Sequence, residues 1–317
     1  MNKSQIDSNG NLRHLLSLDG LGAVRLTALL KRAQEFVARP GERIEPRDDL
    51  RGITVANLFF EASTRTRASF ELAGRRLAAD VLNLDINLSS AAKGETVLDT
   101  VLTLQAMNVD VFVIRHAESG IPQMVADNVA PHVAVINAGE SHANHPTQGL
   151  LDALTIRQHK PDFPGLRVAI VGDIRHSRVA RSAIHALAAL GVRDLRLVGP
   201  ESLLPGDERL PGARFTDMDA GIAGCDVVMM LRIQKERMQA GSIPDSAEYH
   251  RRFGMDERRL GIIQPDAIVM HPGPMNRGVE ISDAVADGAQ SVILEQVNNG
   301  VAVRMAVLAT LMEQRTA

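Results

Sequence analysis

Three hydroxyls and two guanidinium groups crowd into Ser63-Thr64-Arg65-Thr66-Arg67. The residues before them, Thr54 to Phe60, are largely β-branched, aromatic or apolar and read as a buried strand. Those after them, Ala68 to Ala79, have helical composition, with Phe70, Leu72, Ala73 and Leu77 on the apolar face. The cluster therefore falls on a strand-to-helix turn, where free backbone N–H groups and the positive end of the helix dipole converge. Cations oppose that dipole, so two arginines in a first turn call for an anionic partner. An anion with several oxygens, such as a phosphate, suits both the turn and the planar fork of arginine. A capping Ser or Thr followed by a solvated basic turn is the plainer alternative.

Other reactive side chains recur where predicted strands end. Ser89 and Lys93 sit on a loop of small residues, Ser89 to Thr96, that follows a strand ending near Ile86; Lys93 offers a mobile charge for phosphate or carboxylate. Arg115 and His116 close the apolar run Val111 to Ile114. The stretch His145-Pro146-Thr147-Gln148 follows a strand at 133–137; Pro146 suits a first helical position, and His145 and Gln148 share a helix face. A metal site built on His142 and His145 lacks an acidic or thiol partner at ligand spacing. Gly172 to Arg178 occupies a nucleotide-binding turn but lacks the second and third glycines of G-x-G-x-x-G, which argues against a dinucleotide. Arg232 and Gln234 follow a strand at 226–230, and His271-Pro272-Gly273-Pro274 follows one at 266–270. Two separated arginines, Arg178 and Arg232, with Gln234, suit a small dicarboxylate.

The elements that must hold these groups alternate. Strands at 54–60, 81–86, 111–114 and 133–137 are separated by helices near 65–79, 96–107 and 121–128. A second series has strands at 167–171, 194–198, 226–230 and 266–270, with a helix at 178–190. This order predicts an α/β protein with two doubly wound parallel-sheet domains. A connecting helix from His145 to His159 joins them, and a C-terminal helix, Val301 to Met312 after Asn298-Asn299-Gly300, returns to the first domain. The expected division is 1–148 plus 296–317, and 149–295. Asp19 is expected to cap an early helix whose face is Leu26, Leu29, Leu30, Ala33 and Phe36. Ligands bind such sheets outside the strand C-terminal ends.

Composition sets the limits. The 317 residues suit two domains, and 45% hydrophobic content fills two cores. A net charge of -3 gives no global basic field, so nucleic acid is not an expected partner. The single cysteine, Cys225, excludes an internal disulfide and suits a reducing compartment. No signal-peptide core opens the chain and no apolar run reaches membrane-spanning length, so a soluble cytoplasmic protein is expected.

Together these motifs resemble the catalytic chains of the aspartate carbamoyltransferase family over nearly the whole length. Phe59-x-Glu61-x-Ser63-Thr64-Arg65-Thr66 is similar to the carbamoyl-phosphate signature shared by aspartate and ornithine carbamoyltransferases, as is His145-Pro146-Thr147-Gln148. Lys93-Gly94-Glu95-Thr96, Arg232-x-Gln234-x-Glu236-Arg237 and His271-Pro272-Gly273-Pro274 favour the aspartate branch. Ornithine enzymes carry a cysteine in the last motif. The resemblance implies transfer of a carbamoyl group from carbamoyl phosphate to L-aspartate, an early step of pyrimidine (UMP) biosynthesis, with no metal or organic cofactor.

The same resemblance implies residue roles. Ser63, Thr64, Arg65, Thr66 and Ser89 would hold the phosphate. Thr66, Arg115 and His145 would stabilise the oxyanion, and Gln148 with the Pro272 and Gly273 carbonyls would take the carbamoyl NH2. Lys93, Arg178, Arg232 and Gln234 would bind aspartate. Ser89 and Lys93 would act in the neighbouring subunit's site, which implies a homotrimer with shared active sites. Pro274 to Glu280 resembles a bacterial branch whose trimers assemble with a dihydroorotase-like partner, so dihydroorotase-like or regulatory chains are the partners to expect of any higher assembly. Gly273 departs from the Leu of better-known members. Lys235 to Met255 is expected to be a mobile loop closing on aspartate. The rival readings are a carbamoyltransferase for ornithine or a related amine, a silent phosphate-binding scaffold, and a nucleotide-binding dehydrogenase.

Overall fold

The computed structural model describes residues 4–39, 41–42, 44–84, 95–206, 210–233 and 245–316. The chain forms two compact units, Met1–Leu150 with Asn298–Ala317, and Leu151–Val297. Each unit is built on a parallel sheet, as the alternating order of elements predicts.

Unit 1 carries β1 (Thr54–Phe59), β2 (Asp80–Leu84), β3 (Val111–His116) and β4 (Ala134–Glu140) in the spatial order β2-β1-β3-β4. Its helices are α1 (Ala23–Gln34), α2 (Thr64–Arg76), α3 (Val97–Ala106) and α4 (Ile121–Asn128). The strand order reverses after β2. Right-handed crossovers then put α2 on one face and α3 and α4 on the other. Strands covered on both faces should read as unbroken apolar runs. Thus β3 and β4 are buried almost throughout, whereas the edge strand β2 is largely exposed. The core beneath β1, β3 and β4 includes Ala56, Leu58, Phe112, Ile114, Val133 and Val135. Full burial of a Leu or Phe is worth about 1.5–3 kcal/mol, so this layer contributes substantially to the stability of the unit.

Unit 2 carries β5 (Arg167–Val171), β6 (Asp194–Val198), β7 (Ala213–Phe215), β8 (Val227–Met230) and β9 (Ile268–Met270), ordered β7-β6-β5-β8-β9. Two helices pass from one unit to the other along the chain: α5 (Pro146–His159), and the last helix, Ile293–Thr316. Between them unit 2 holds α6 (Arg178–Ala189), α7 (Met218–Ile222), α8 (Ser246–Phe253), α9 (Glu257–Leu260) and α10 (Asp283–Ala286); the last helix is α11. No helix among the described residues is long and apolar enough to cross a membrane.

Three local expectations are corrected. Asp19 does not cap α1; Gly22 does, because Gly20 and Gly22 take positive φ and turn the chain first. Asn298-Asn299-Gly300 does not precede the last helix but lies inside it. There Asn298 Nδ2 donates to Ala38 O at 2.8 Å, a long-range bond, and Arg304 Nη1 donates to the Gly300 carbonyl one turn back at 2.8 Å, so a tertiary and a within-helix bond together outweigh local breaker chemistry. The end of the expected loop 235–255 is helix α8, capped by Asp245 and anchored by buried Tyr249 and Phe253; residues 234–244 lie outside the described residues.

Candidate active site

Each sheet reverses its strand order at one place, and in each unit part of the candidate set follows the two strands that flank the reversal. In unit 1 the reversal lies between β1 and β3, which pair in register with Phe59 opposite Arg115. Phe60 N–H donates to Arg115 O at 2.9 Å, so the turn after β1 starts beside the end of β3. Such switch points open a crevice at the strand C-terminal ends.

The turn leads into α2 through Ser63. Ser63 makes no side-chain bond to the helix backbone; its hydroxyl instead donates to Thr66 Oγ1 at 2.9 Å. The first turn holds no acidic residue, Thr66 is buried, and Thr64 and Arg65 are exposed. An N-terminus left without a side-chain cap, with cations and hydroxyls around it, is suited to an oxygen-rich anion.

Arg115 is buried at 8% exposure. Its Nη2 lies 3.1 Å from Glu61 Oε1, and its Nη1 donates to Ala138 O at 3.2 Å. The guanidinium is thus oriented by a carboxylate on the β1 turn and a carbonyl on β4. Glu61 belongs to the same signature as Ser63 and Thr66, yet the sequence reading assigns it no role. Its signal was its place in that run.

His145 follows β4 and is 4% exposed. Its carbonyl accepts the first helical bonds, from Gln148 N–H at 3.0 Å and Gly149 N–H at 3.2 Å. Gln148 is half-buried one turn on. The loop ahead of His145 is tied by Glu140, also buried, which accepts from Gly120 N–H at 2.8 Å and Asn144 Nδ2 at 2.8 Å. Ser17 Oγ donates to Asn144 Oδ1 at 2.9 Å. Glu140, Asn144 and Ser17 have no supporting role in the sequence pattern, because Gly120 and Ser17 reach this loop from other segments. Ser89 and Lys93 lie outside the described residues.

In unit 2 the reversal lies between β5 and β8, with Val171 opposite Met230 and Leu231 N–H donating to Val171 O at 2.8 Å. The loops bearing Arg178 and Arg232 therefore leave neighbouring strands. Arg178 is buried at the first position of α6, behind the Ser177 cap, and Arg232 is half-buried. Gly172 has φ +126, and a Cβ there would meet Leu231 O at 3.1 Å, so glycine lets the two loops pass closely. Asp173, fully buried, holds this turn by accepting from His176 N–H at 3.1 Å, with His176 Nδ1 2.9 Å away. Gln234 lies outside the described residues.

β9 pairs with β8 and ends at Met270, so His271 is the first residue after it. His271 N–H donates to Gln296 Oε1 at 2.8 Å, and Gln296 is held in turn by Asp152 at 2.9 Å. Pro272 and Gly273 follow. Gly273 has φ +65, a conformation glycine adopts freely, so the departure from Leu fits the local backbone. Tyr249, buried on α8, has its phenol ionisation pushed up by burial, reinforced by the charges of Glu280 and Asp173. Cys225 is buried and free, its thiol pushed up to about 11 by burial, which makes it an inert core residue. Among the described residues no group of three or more His, Cys, Asp or Glu is arranged to hold a metal ion.

Comparison with known proteins bears on both units. Residues 13–158 match the aspartate/ornithine carbamoyltransferase carbamoyl-P binding domain, and residues 164–311 match the aspartate/ornithine carbamoyltransferase Asp/Orn binding domain. The chain belongs to the aspartate/ornithine carbamoyltransferase family. Among solved structures, this carbamoyltransferase chain is similar to aspartate transcarbamoylase from Trypanosoma cruzi in complex with carbamoyl aspartate and phosphate. The two are 29% identical with a TM-score of 0.86, over 98% of this chain and 99% of that one. The same Trypanosoma cruzi enzyme in complex with N-(phosphonacetyl)-L-aspartic acid matches at 30% identity and a TM-score of 0.84, with the same coverage. Ornithine carbamoyltransferase from Thermus thermophilus also matches, at 25% identity and a TM-score of 0.82, over 95% of this chain and 99% of that one. The carbamoyltransferase fold thus spans the chain, and both branches of the family resemble it.

Proposed function

We propose that the chain transfers the carbamoyl group of carbamoyl phosphate to L-aspartate, giving N-carbamoyl-L-aspartate and phosphate, an early step of de novo pyrimidine (UMP) biosynthesis. The observation that carries the choice of amine is the pair of arginines, Arg178 and Arg232, leaving neighbouring strands β5 and β8. Two fixed cations suit a dicarboxylate; ornithine would bring a cationic side chain to the same place and be repelled. The likeness to aspartate transcarbamoylase complexes at 29–30% identity supports the same reading.

In this mechanism Ser63, Thr64, Arg65, Thr66 and Ser89 hold the phosphate of carbamoyl phosphate. The aspartate amine attacks the carbamoyl carbon, forming a C–N bond and placing negative charge on the former carbonyl oxygen. Thr66, Arg115 and His145 stabilise that oxyanion, while Gln148 and the carbonyls of Pro272 and Gly273 accept from the carbamoyl NH2. The C–O bond to phosphate then breaks, Arg65 balances the charge of the leaving group, and the phosphate accepts the proton lost by the amine. Lys93, Arg178, Arg232 and Gln234 hold the substrate carboxylates.

We assign carbamoyl-phosphate binding to 1–148 plus 296–317 and aspartate binding to 149–295. The functional unit in this reading is a cytoplasmic homotrimer in which Ser89 and Lys93 serve the neighbouring site. Unit 1 leaves Leu82, Leu102 and Met107 exposed on or beside β2 and α3, the elements that precede and follow the Ser89–Lys93 segment, which supports a subunit interface there. Dihydroorotase-like or regulatory chains are the partners we would seek for a higher assembly.

The deciding experiment is phosphate release from carbamoyl phosphate by the purified chain, with aspartate and ornithine in parallel. Release with aspartate alone, together with carbamoyl aspartate, is expected. Release with ornithine alone would keep the family and overturn the arginine reading.

A further inference from the structure

The loop after β9 is organised by a buried pair with no part in the chemistry above. His271 and Glu280 are 1% and 0% exposed. Gly273 N–H donates to His271 Nδ1 at 2.8 Å, so that nitrogen carries no proton and Nε2 does. The Nε2–H donates to Glu280 Oε1 at 3.1 Å, and the same oxygen accepts from Asn276 N–H at 2.5 Å. Glu280 Oε2 has no hydrogen-bond partner among the described residues. A fully buried carboxylate with one oxygen unmatched among the described residues is costly relative to an apolar residue. Such a group stabilises a fold poorly, but it can fix a geometry. Here it fixes one imidazole, and that imidazole fixes the peptide between Pro272 and Gly273. The Pro272 carbonyl belongs to that same peptide plane, and the Gly273 carbonyl is one residue on.

We infer that Glu280, acting through His271, is a positioning residue that aims the Pro272 and Gly273 carbonyls and so sets the preference for an NH2-bearing acyl phosphate. The inference rests on the reading that those carbonyls accept from the carbamoyl NH2. Its substrate class is narrow: a planar acyl phosphate whose acyl carbon bears N–H donors, as opposed to the isosteric methyl of acetyl phosphate.

Binding of carbamoyl phosphate and of acetyl phosphate to the intact oligomer tests it, with thermal unfolding of each variant run alongside. Wild type is expected to prefer carbamoyl phosphate. Glu280→Ala and Glu280→Asp should lose roughly tenfold in affinity for carbamoyl phosphate, and less than about twofold for acetyl phosphate. Glu280→Gln keeps an acceptor for both His271 and Asn276 and should keep the preference. Should the Ala variant not fold, the Asp and Gln variants carry the comparison. An equal loss for both ligands, or no loss, in a folded Asp variant overturns the positioning role. A wild type with no preference overturns the carbonyl reading itself, and the inference with it.

Discussion

Glu61 and Arg115 are held 3.1 Å apart across the ends of the adjacent strands β1 and β3, with Arg115 almost wholly buried. A buried guanidinium keeps its direction only if its neighbours set it, and Ala138 O supplies the second fixed partner. Glu61→Gln should retain one acceptor but lose the charge, lowering kcat by about tenfold. Arg115→Ala removes the oxyanion donor proposed above and should cost ~10²–10³ in kcat. Steady-state kinetics in which Glu61→Gln matches wild type would deny Glu61 that orienting role.

Arg232 is expected to act on aspartate and not on carbamoyl phosphate. Arg232→Ala should raise the KM for aspartate by roughly tenfold to a hundredfold, the worth of one charge-assisted contact. The dissociation constant for carbamoyl phosphate, measured by calorimetry, should stay within about twofold. A parallel rise in both constants would point to a general loss of structure.

The proposed sharing of sites between subunits makes a complementation prediction. Lys93→Ala alone and Arg65→Ala alone should be inactive, and mixing them should restore part of the activity through hybrid trimers that keep one intact site. No recovery, with subunit exchange verified by mass, would count against a site built from two subunits.

Asp219 links pH to stability. Its hydrogen bonds from Arg258, and then from Arg259, hold its carboxyl down to about 2, against the opposing effect of partial burial. The folded value is depressed, so the stabilisation is fully present above the unfolded value of 3.8 and is lost as pH falls towards 2. The Asp219 side chain is 41% exposed, which screens the pair and keeps its worth small. Asp219→Asn should lower the unfolding midpoint at pH 7, and that gap should close between about pH 4 and pH 2. A gap that persists at the acid end would mean that charge is not the cause.

Gly172 offers a backbone test. Gly172→Ala forces a Cβ into φ +126 and to 3.1 Å from Leu231 O. The expected loss is about 1–3 kcal/mol, read as a lower urea midpoint.

Much of the fold is legible because parallel strands buried on both faces must be runs of apolar residues. The strands at 167–171 and 194–198 have the same bounds in the structure as in the sequence pattern. Short elements are not legible in this way. β7 spans Ala213–Phe215, and α7, α9 and α10 carry too few residues for a period to emerge. Helix α8 hides in a stretch whose charge suggests a loop, because only Tyr249 and Phe253 face the core.

What the sequence by itself determined is the chemistry on offer: hydroxyls and arginines at a strand-to-helix turn, paired arginines further on, and a proline-flanked glycine after the last strand. Residue type and local spacing are enough for that, since each turn is written in a few consecutive positions. Only the tertiary structure decided which of these groups are aimed. Glu61 meets Arg115 across 54 positions of chain, Ser17 meets Asn144 across 127, and His271 takes its support from Glu280 and Gln296. Those pairings depend on strand order and on the reversal of direction in each sheet, and a one-dimensional pattern does not encode which strand ends become neighbours.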